Sequence, residues 1–233
     1  MKAWFFLLFL LPIFSLAGIP KSKSREPKTQ PVICIDPGHP SEVGRGTHGK
    51  KFTEIQVVWK VAVLLKKSLE LDGYKVVMTK SSEEQYVRNK QRAETANKSG
   101  ASLLLRLHCD AAPDRGFASY YPSQQGVSEG TRGPSASVLK ASKAAAQKFH
   151  PAVIESLGGL VNDRGLMTDL QTAVGHKQGA LTGSIFSKVP CILVEMLVLT
   201  NPKDEAFLTN DDGFDRLAQA LKAGVEAAVP NRR

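Results

Sequence analysis

The sequence is poor in cysteine. It has three cysteines in 233 residues, and no two of them form a C-x-x-C pair. The absence of such a pair disfavours a zinc site built from cysteines. An odd number leaves at least one thiol free or paired with another chain. Because cysteine is among the most commonly buried residue types, we expect Cys34, Cys109 and Cys191 to be small core residues. A Cys34–Cys191 or Cys34–Cys109 disulfide is the alternative if those strands are neighbours.

Long apolar runs are absent beyond the N-terminus. Met1 and Lys2 give a positive start, residues 3–16 are almost wholly apolar, and Ser15-Leu16-Ala17 supplies a small-x-small pattern. The run is too short for a comfortable membrane span. We therefore expect residues 1–17 to be a signal peptide and the protein to be exported, to the periplasm or the extracellular space. No membrane span would then remain after cleavage, and an uncleaved anchor is the alternative.

Acidic residues are outnumbered. The chain has 31 Lys and Arg against 22 Asp and Glu, a formal net charge of +9. This balance favours anionic partners such as nucleic acid, anionic lipid or acidic wall polymers. No arginine–aromatic module and no basic helix stands out, so we do not expect nucleic-acid binding. Residues 18–31 are rich in Lys, Ser and Pro and predict a flexible basic linker that precedes a single domain over residues 32–229.

Strand and helix patterns alternate along that domain, and no internal repeat interrupts them. Thr53 and Gln56 form a capping-box pattern before a helix that Gly73 ends. Apolar runs and periodicity predict further strands and helices. The predicted strands are 32–35, 74–78, 102–107, 117–121 and 192–198, and the predicted further helices are 82–97, 134–157 (kinked or divided at Pro151) and 214–229. Residues 158–183 give no clear pattern. We therefore predict an α/β domain with a mostly parallel, twisted sheet of about six strands, flanked by helices on both faces.

Four residues with metal-site chemistry lie near predicted strand ends or at a helix start. His39 follows the strand-breaking Asp-Pro-Gly segment, His108 follows an apolar strand, Glu54 opens a helix and Glu195 lies in the last strand. Two imidazoles and one carboxylate can hold zinc with a position left for water, and a further carboxylate can act as base. Three of the four also have an ordinary explanation. Glu54 suits a helix N-terminus, His108 can be a satisfied polar residue, and Glu195 can face solvent or an arginine.

The chain resembles the zinc-dependent N-acetylmuramoyl-L-alanine amidases of the type 3 family. The matching segments, which together span residues 32–229, are 32–39 (strand then DPGH), Glu54, 76–80, 92–97 (RAETAN), 104–108, Val194-Glu195 and 200–202 (TNP). The resemblance implies that His39, Glu54 and His108 hold one Zn2+ per chain and that Glu195 is the catalytic carboxylate. It implies peptidoglycan as substrate, with hydrolysis of the bond between N-acetylmuramic acid and L-alanine. An activator protein is a possible partner, and nothing in the sequence indicates an obligate oligomer, so we expect a monomer.

The chain departs from that family around its second histidine. The family usually has Ser-Ile-His-Ala-Asn-Ala, whereas this chain has Arg106-Leu107-His108-Cys109-Asp110-Ala111, and Pro40 replaces a glycine after His39. We expect Arg106 to point away from the metal into an ion pair, and Asp110 to approach the site. Asp36 either orients His39 or forms the turn. Two alternatives stay open: a zinc amidohydrolase for another peptide or acyl-amine, and a non-catalytic wall-binding homologue.

Three further histidines have no partner pattern in the sequence. These residues are His48, His150 and His176. We expect all three to be surface residues, with a position in the cleft as the alternative for His176.

Overall fold

In the computed structural model of the protein, the described residues are 1, 30–210 and 212–231. The predicted signal peptide, apart from Met1, and residues 18–29 of the predicted linker lie outside this part. None of the helices in the described ranges combines the length and the apolar character that a bilayer crossing requires.

A six-stranded sheet forms the centre of the domain, with strand order β2-β1-β3-β8-β4-β7. Its strands are β1 Val32–Pro37, β2 Lys75–Met78, β3 Leu103–Asp110, β4 Phe117–Tyr121, β7 Asp163–Thr168 and β8 Cys191–Val198. All neighbours pair in parallel except β4 and β8, which are antiparallel. A separate hairpin joins β5 Gly126–Ser128 to β6 Thr131–Gly133. The predicted mostly parallel sheet of about six strands is confirmed.

Seven α-helices occur in the described ranges. They are α1 Glu54–Leu71, α2 Asn89–Lys98, α3 Ala136–Leu157, α4 Ala173–Gln178, α5 Thr182–Ile185, α6 Pro202–Thr209 and α7 Gly213–Ala228, with a 3-10 turn over Asp169–Gln171 before α4. The main core packs α1, α3 and α7 against one face of the sheet. A smaller cluster under α2 covers part of the other face. The prediction of helices on both faces is confirmed.

The first helix begins where the sequence predicted. Thr53 is its N-cap and accepts a hydrogen bond from the Gln56 backbone, while the Gln56 side chain accepts one from the Thr53 backbone. These reciprocal bonds satisfy two backbone donors that a helix start leaves unpaired. The buried stripe of Val57, Val61 and Leu65 then holds α1 on the sheet. This packing fixes the position of Glu54, the first residue of the helix.

Two predicted helices differ from the structure. The helix predicted over 82–97 is shorter, because residues 82–88 are not helical and α2 covers only Asn89–Lys98. Pro151 does not divide α3, which is one helix of 22 residues. A proline inside a helix removes one backbone hydrogen bond, but Phe149 and Val153 are fully buried on either side of Pro151 and pack into the core. Burial on both sides therefore keeps the helix continuous.

The three cysteines are free and buried. Cys34 and Cys191 belong to the smaller cluster under α2, and Cys109 belongs to the main core on the opposite face. Burial is the main cause that raises the pKa of Cys191 to about 11, and it raises the pKa values of Cys34 and Cys109 as well. The prediction of small core residues is confirmed, and neither alternative disulfide forms.

Candidate active site

His39 follows the end of β1 at a backbone position that is uncommon for histidine, with φ of 50°. Its Nδ1 lies 3.0 Å from the carbonyl oxygen of Gly44. A carbonyl only accepts hydrogen bonds, so Nδ1 carries the proton and Nε2 keeps a lone pair. Lys80 also donates to the backbone carbonyl of His39. These contacts hold the imidazole ring with Nε2 available as a ligand.

Glu54 is buried at the start of α1, with 2% of its surface exposed. Its Oε2 accepts a hydrogen bond of 2.7 Å from the Thr47 backbone, and its Oε1 accepts one of 3.1 Å from the Cys109 backbone. Burial alone would raise the pKa of Glu54, but the hydrogen bond to His108 and the charges of His108 and His39 outweigh it and lower the pKa. Glu54 is therefore held as a carboxylate.

His108 lies inside β3 rather than after its end, because β3 continues to Asp110. Its Nδ1 is 3.0 Å from Glu54 Oε1, and the ring packs edge-on against that of His39 with centroids 5.1 Å apart. His39 Nε2 is 3.6 Å from the same Glu54 oxygen. Ligand atoms of the three residues lie within 4.8 Å of one another. The structure thus brings together all three predicted metal ligands.

The donor set fits a zinc ion. The lone pair of His39 Nε2 and the Glu54 carboxylate face each other, an arrangement that a cation between them would stabilise. His108 Nε2 is buried and has no hydrogen-bond partner in the described ranges. Burial is the main cause that lowers the pKa of His108, which favours the neutral imidazole that metals bind. Two neutral imidazoles and one carboxylate form a common ligand set for catalytic zinc.

Glu195 lies within β8, directly opposite His108 in the parallel register. Its Oε2 is buried and has no hydrogen-bond partner among the residues that the structure describes. Burial raises the pKa of Glu195 well above its ordinary value, and the charges of Glu54 and Asp110 add to the effect. Among the residues that the structure describes, Glu195 forms no ion pair with an arginine. A buried carboxyl oxygen without a hydrogen-bond partner is costly, and the raised pKa of Glu195 makes it a candidate proton carrier.

Two glycines pack directly against the proposed metal ligands, at positions where a side chain would collide with them. A Cβ atom on Gly38 would lie 2.5 Å from His108 Cε1, and one on Gly46 would lie 2.4 Å from Glu54 Oε2. Gly46 also has φ of 79°, a conformation that favours glycine. Any larger residue at either position would displace a ligand side chain.

Asp36 does not orient His39. Its carboxylate lies 2.7 Å from Arg92 Nη1 and 2.9 Å from Arg106 Nε, and Thr79 donates to it as well. Burial pushes the pKa of Asp36 upward, but the charges of Arg92 and Arg106 outweigh it and hold the pKa well below its usual range. The predicted ion pair of Arg106 is confirmed, but the residue also lines a cavity together with His108 and Glu195.

Asp110 and Arg164 form a second polar group beside the site. Asp110 pairs with Arg164 at 2.9 Å, and Arg164 also contacts Asp114 at 3.1 Å. The charge of Asp110 contributes to the raised pKa of Glu195, so Asp110 does influence the site. The sequence did not point to Arg164, because it lies in the stretch of residues 158–183 that showed no pattern.

The prediction that His150 is a surface residue is wrong. It is 6% exposed, and its ring nitrogens lie 3.0 Å from Ser119 Oγ and 3.0 Å from Asp163 Oδ1. Ser119 is fully buried, so this group holds α3 onto β4 and β7. His48 and His176 are exposed, as predicted.

A cavity of about 220 Å³ adjoins His108 and Glu195. We call it the site cavity. Its other lining residues are Val43, Asn89, Arg106, Thr172, Ala173, Val174, Leu181, Thr182 and Leu193. Residues 172–174 form part of its wall, and the sequence missed them because residues 158–183 showed no helical or strand period.

The chain is similar to several known amidases. It is 26% identical over 203 residues to the N-acetylmuramoyl-L-alanine amidase LytC of Bacillus subtilis (strain 168), covering 86% of this chain and 36% of LytC. It is 27% identical over 241 residues to AmiA of Escherichia coli (strain K12), covering 89% of this chain and 79% of AmiA. The chain spans roughly a third to a half of the first curated relatives it matches.

A solved structure shares the fold. It contains the CwlD amidase from Clostridioides difficile in complex with the GerS lipoprotein, and it matches with a TM-score of 0.62 at 17% identity. The match covers 84% of this chain and 97% of that chain. The family model described as N-acetylmuramoyl-L-alanine amidase matches residues 33–227. This match spans the sheet and the four site residues, and the chain therefore belongs to the N-acetylmuramoyl-L-alanine amidase family of type 3.

Proposed function

We propose that this protein is an exported, zinc-dependent N-acetylmuramoyl-L-alanine amidase. It hydrolyses the amide bond between N-acetylmuramic acid and the L-alanine of the peptidoglycan stem peptide. The observation that carries the proposal is the grouping of His39, Glu54 and His108 within 4.8 Å, with Glu195 opposite His108. Family membership supports the reaction, and the donor chemistry supports the metal.

His39, Glu54 and His108 would hold one zinc ion. Zinc bound there supplies Lewis-acid activation of water and of the amide carbonyl. The hydrogen bonds to Gly44, Thr47 and Cys109 keep these ligands in place, so little reorganisation accompanies binding.

Glu195 acts as the proton carrier. It takes a proton from the attacking water and delivers it to the departing alanine nitrogen, which leaves as an amine. Its raised pKa suits both steps, since a base is most effective when its pKa lies near the working pH. The buried, unpartnered Oε2 is available for the proton.

Digestion of purified peptidoglycan tests the proposal. The chain is incubated with intact wall, with and without a zinc chelator, and the released fragments are analysed by mass. We expect free stem peptides that begin with L-alanine, their loss with chelator and their return with added zinc. Wall that stays intact, or cleavage within the glycan or within the peptide, would overturn the proposal.

Export and activation are part of the same proposal. The apolar stretch of residues 3–16 supports export, and N-terminal sequencing of the mature protein checks for cleavage after Ala17. The CwlD structure is a complex with a lipoprotein, which supports a protein partner that raises the basal activity of this chain. Full activity of the purified chain on its own would argue against dependence on an activator.

A further inference from the structure

The site cavity has a permanent cation in its wall. Arg106 lines it together with His108 and Glu195, and only 4% of the Arg106 surface is exposed. Guanidinium groups stay protonated in proteins. A positive charge therefore lies within the cavity that adjoins the proposed reaction centre.

One guanidinium nitrogen of Arg106 has no hydrogen-bond partner in the described ranges. Its Nε donates to Asp36 Oδ2 and its Nη2 donates to Asn89 Oδ1, whereas its Nη1 makes no hydrogen bond to any residue in the described ranges. Gly183 makes room for the group, because a Cβ there would lie 2.6 Å from Nη1. The guanidinium is thus positioned by two contacts, and a third nitrogen is left for a ligand.

The charge of Arg106 is only partly compensated. Asp36 is shared with Arg92, so one carboxylate serves two guanidinium groups. The other nearby carboxyl groups, Asp169 and Glu195, make no ion pair with Arg106. The cavity wall therefore favours an anion.

The volume of the cavity indicates which part of the substrate enters. A glycan strand continues on both sides of its muramic acid and needs an open surface, whereas a cavity of about 220 Å³ suits a short branch. Val43, Leu181 and Leu193 give it apolar walls around the cation. Such walls suit the aliphatic part of an amino acid, with a carboxylate at its end.

We propose that Arg106 binds a carboxylate on the stem-peptide residue that follows alanine, and so makes this chain selective for stem peptides whose second residue is acidic. This inference rests on the proposed amidase function. In peptidoglycan that residue is a γ-linked glutamate, whose α-carboxylate is either free or amidated.

A matched pair of soluble muropeptides tests the inference. The two differ only at the glutamate α-carboxyl group, which is free in one and amidated in the other. We expect the full chain to cleave the free acid with about tenfold or higher kcat/KM, the size of a hydrogen bond between charged groups. R106S should reduce this ratio to about one, and R106K should keep part of it.

The ratio of kcat/KM for the two muropeptides does not depend on the fraction of active enzyme. A partial folding defect in R106S therefore leaves this ratio unchanged. In R106S, Asp36 keeps its ion pair with Arg92, which favours retention of the fold. R216Q is the matched control, since it removes the same charge at an exposed ion pair on α7 and should leave the ratio unchanged. Equal cleavage of both muropeptides by the unmodified chain, or an unchanged ratio in R106S, would overturn the inference and leave the amidase function standing. If the chain cleaves neither of the two muropeptides and also leaves intact wall uncleaved, the proposed function itself is overturned.

Discussion

His108 on β3 and Glu195 on β8 are register partners on adjacent parallel strands. Neighbouring residues in register project to the same face of a sheet, about 5 Å apart. A proposed metal ligand and the proposed proton carrier are therefore set by backbone hydrogen bonds in the centre of the sheet. Both also have a buried side-chain atom without a hydrogen-bond partner in the described ranges, His108 Nε2 and Glu195 Oε2.

Glu195→Gln should strongly reduce turnover while zinc stays bound. The amide keeps the shape of the carboxyl group but cannot carry a proton between water and the leaving nitrogen, so we expect a loss of about 10²- to 10⁴-fold in kcat. Activity on purified wall and zinc content by elemental analysis are measured together. E155Q, an exposed position on α3, is the control and should behave as the unmodified chain. Full activity of E195Q would exclude the proposed role.

His108→Ala should prevent stoichiometric zinc binding. The change removes one of three ligands, and the remaining His39 and Glu54 form an incomplete set. We expect about one zinc per unmodified chain after dialysis and a small fraction of that in H108A. H176A removes an exposed histidine of α4 and should retain the metal. Equal zinc content in the two variants would show that His108 is not a ligand.

The features that were predicted correctly depend on local sequence. The capping box at Thr53 and Gln56 is formed within one helical turn, and the apolar strands are continuous runs, so both are recognisable without tertiary contacts. The resemblance then led to His39, Glu54, His108 and Glu195, which lie far apart in the chain and meet only through the parallel sheet.

The features that were missed depend on remote contacts. His150 appeared as one polar residue on a helix, and its burial follows from contacts with Ser119 on β4 and Asp163 on β7. The edge strand β7 has no strong apolar alternation, because its residues are half-buried or exposed. Arg106 was recognised as a departure from the family, but its position in the cavity wall follows only from the packing of Gly183 and Asn89 around it.

Gly38→Ala should weaken zinc binding although it removes no ligand. The added Cβ would lie 2.5 Å from Cε1 of His108, closer than such atoms approach in proteins, and it would push the ring out of place. We expect a loss of zinc affinity of at least tenfold, measured by competition with a chelator. G158A is the control for strain away from the site, because its Cβ would meet no atom within 4 Å and its φ of 56° places any backbone strain at the C-terminus of α3. Unchanged affinity in G38A would mean that the ring position of His108 is not critical.

Asp36→Asn should destabilise the fold, and the effect should shrink in acid. Asp36 pairs with both Arg92 and Arg106, so its loss leaves two buried cations without a carboxylate partner, at a cost of about 3–5 kcal/mol at neutral pH. The folded-state pKa of Asp36 lies below that of the unfolded chain. Its stabilisation is therefore complete above the unfolded pKa of about 3.9 and declines as the pH falls from there toward the folded pKa.

Urea denaturation at neutral pH and at several values below 4 measures this difference in free energy of unfolding. D212N is the control, because Asp212 forms an exposed ion pair with Arg216 and its loss should cost less than about 1 kcal/mol. If the difference in free energy of unfolding between D36N and the unmodified chain stays constant with pH, the result contradicts a depressed pKa of Asp36. If D36N loses no more free energy of unfolding than D212N, the result contradicts the view that Asp36 holds two buried guanidinium groups beside the site. The buried ion pairs would then contribute little to stability, and the position of Arg106 would depend on Asn89 and Gly183 alone.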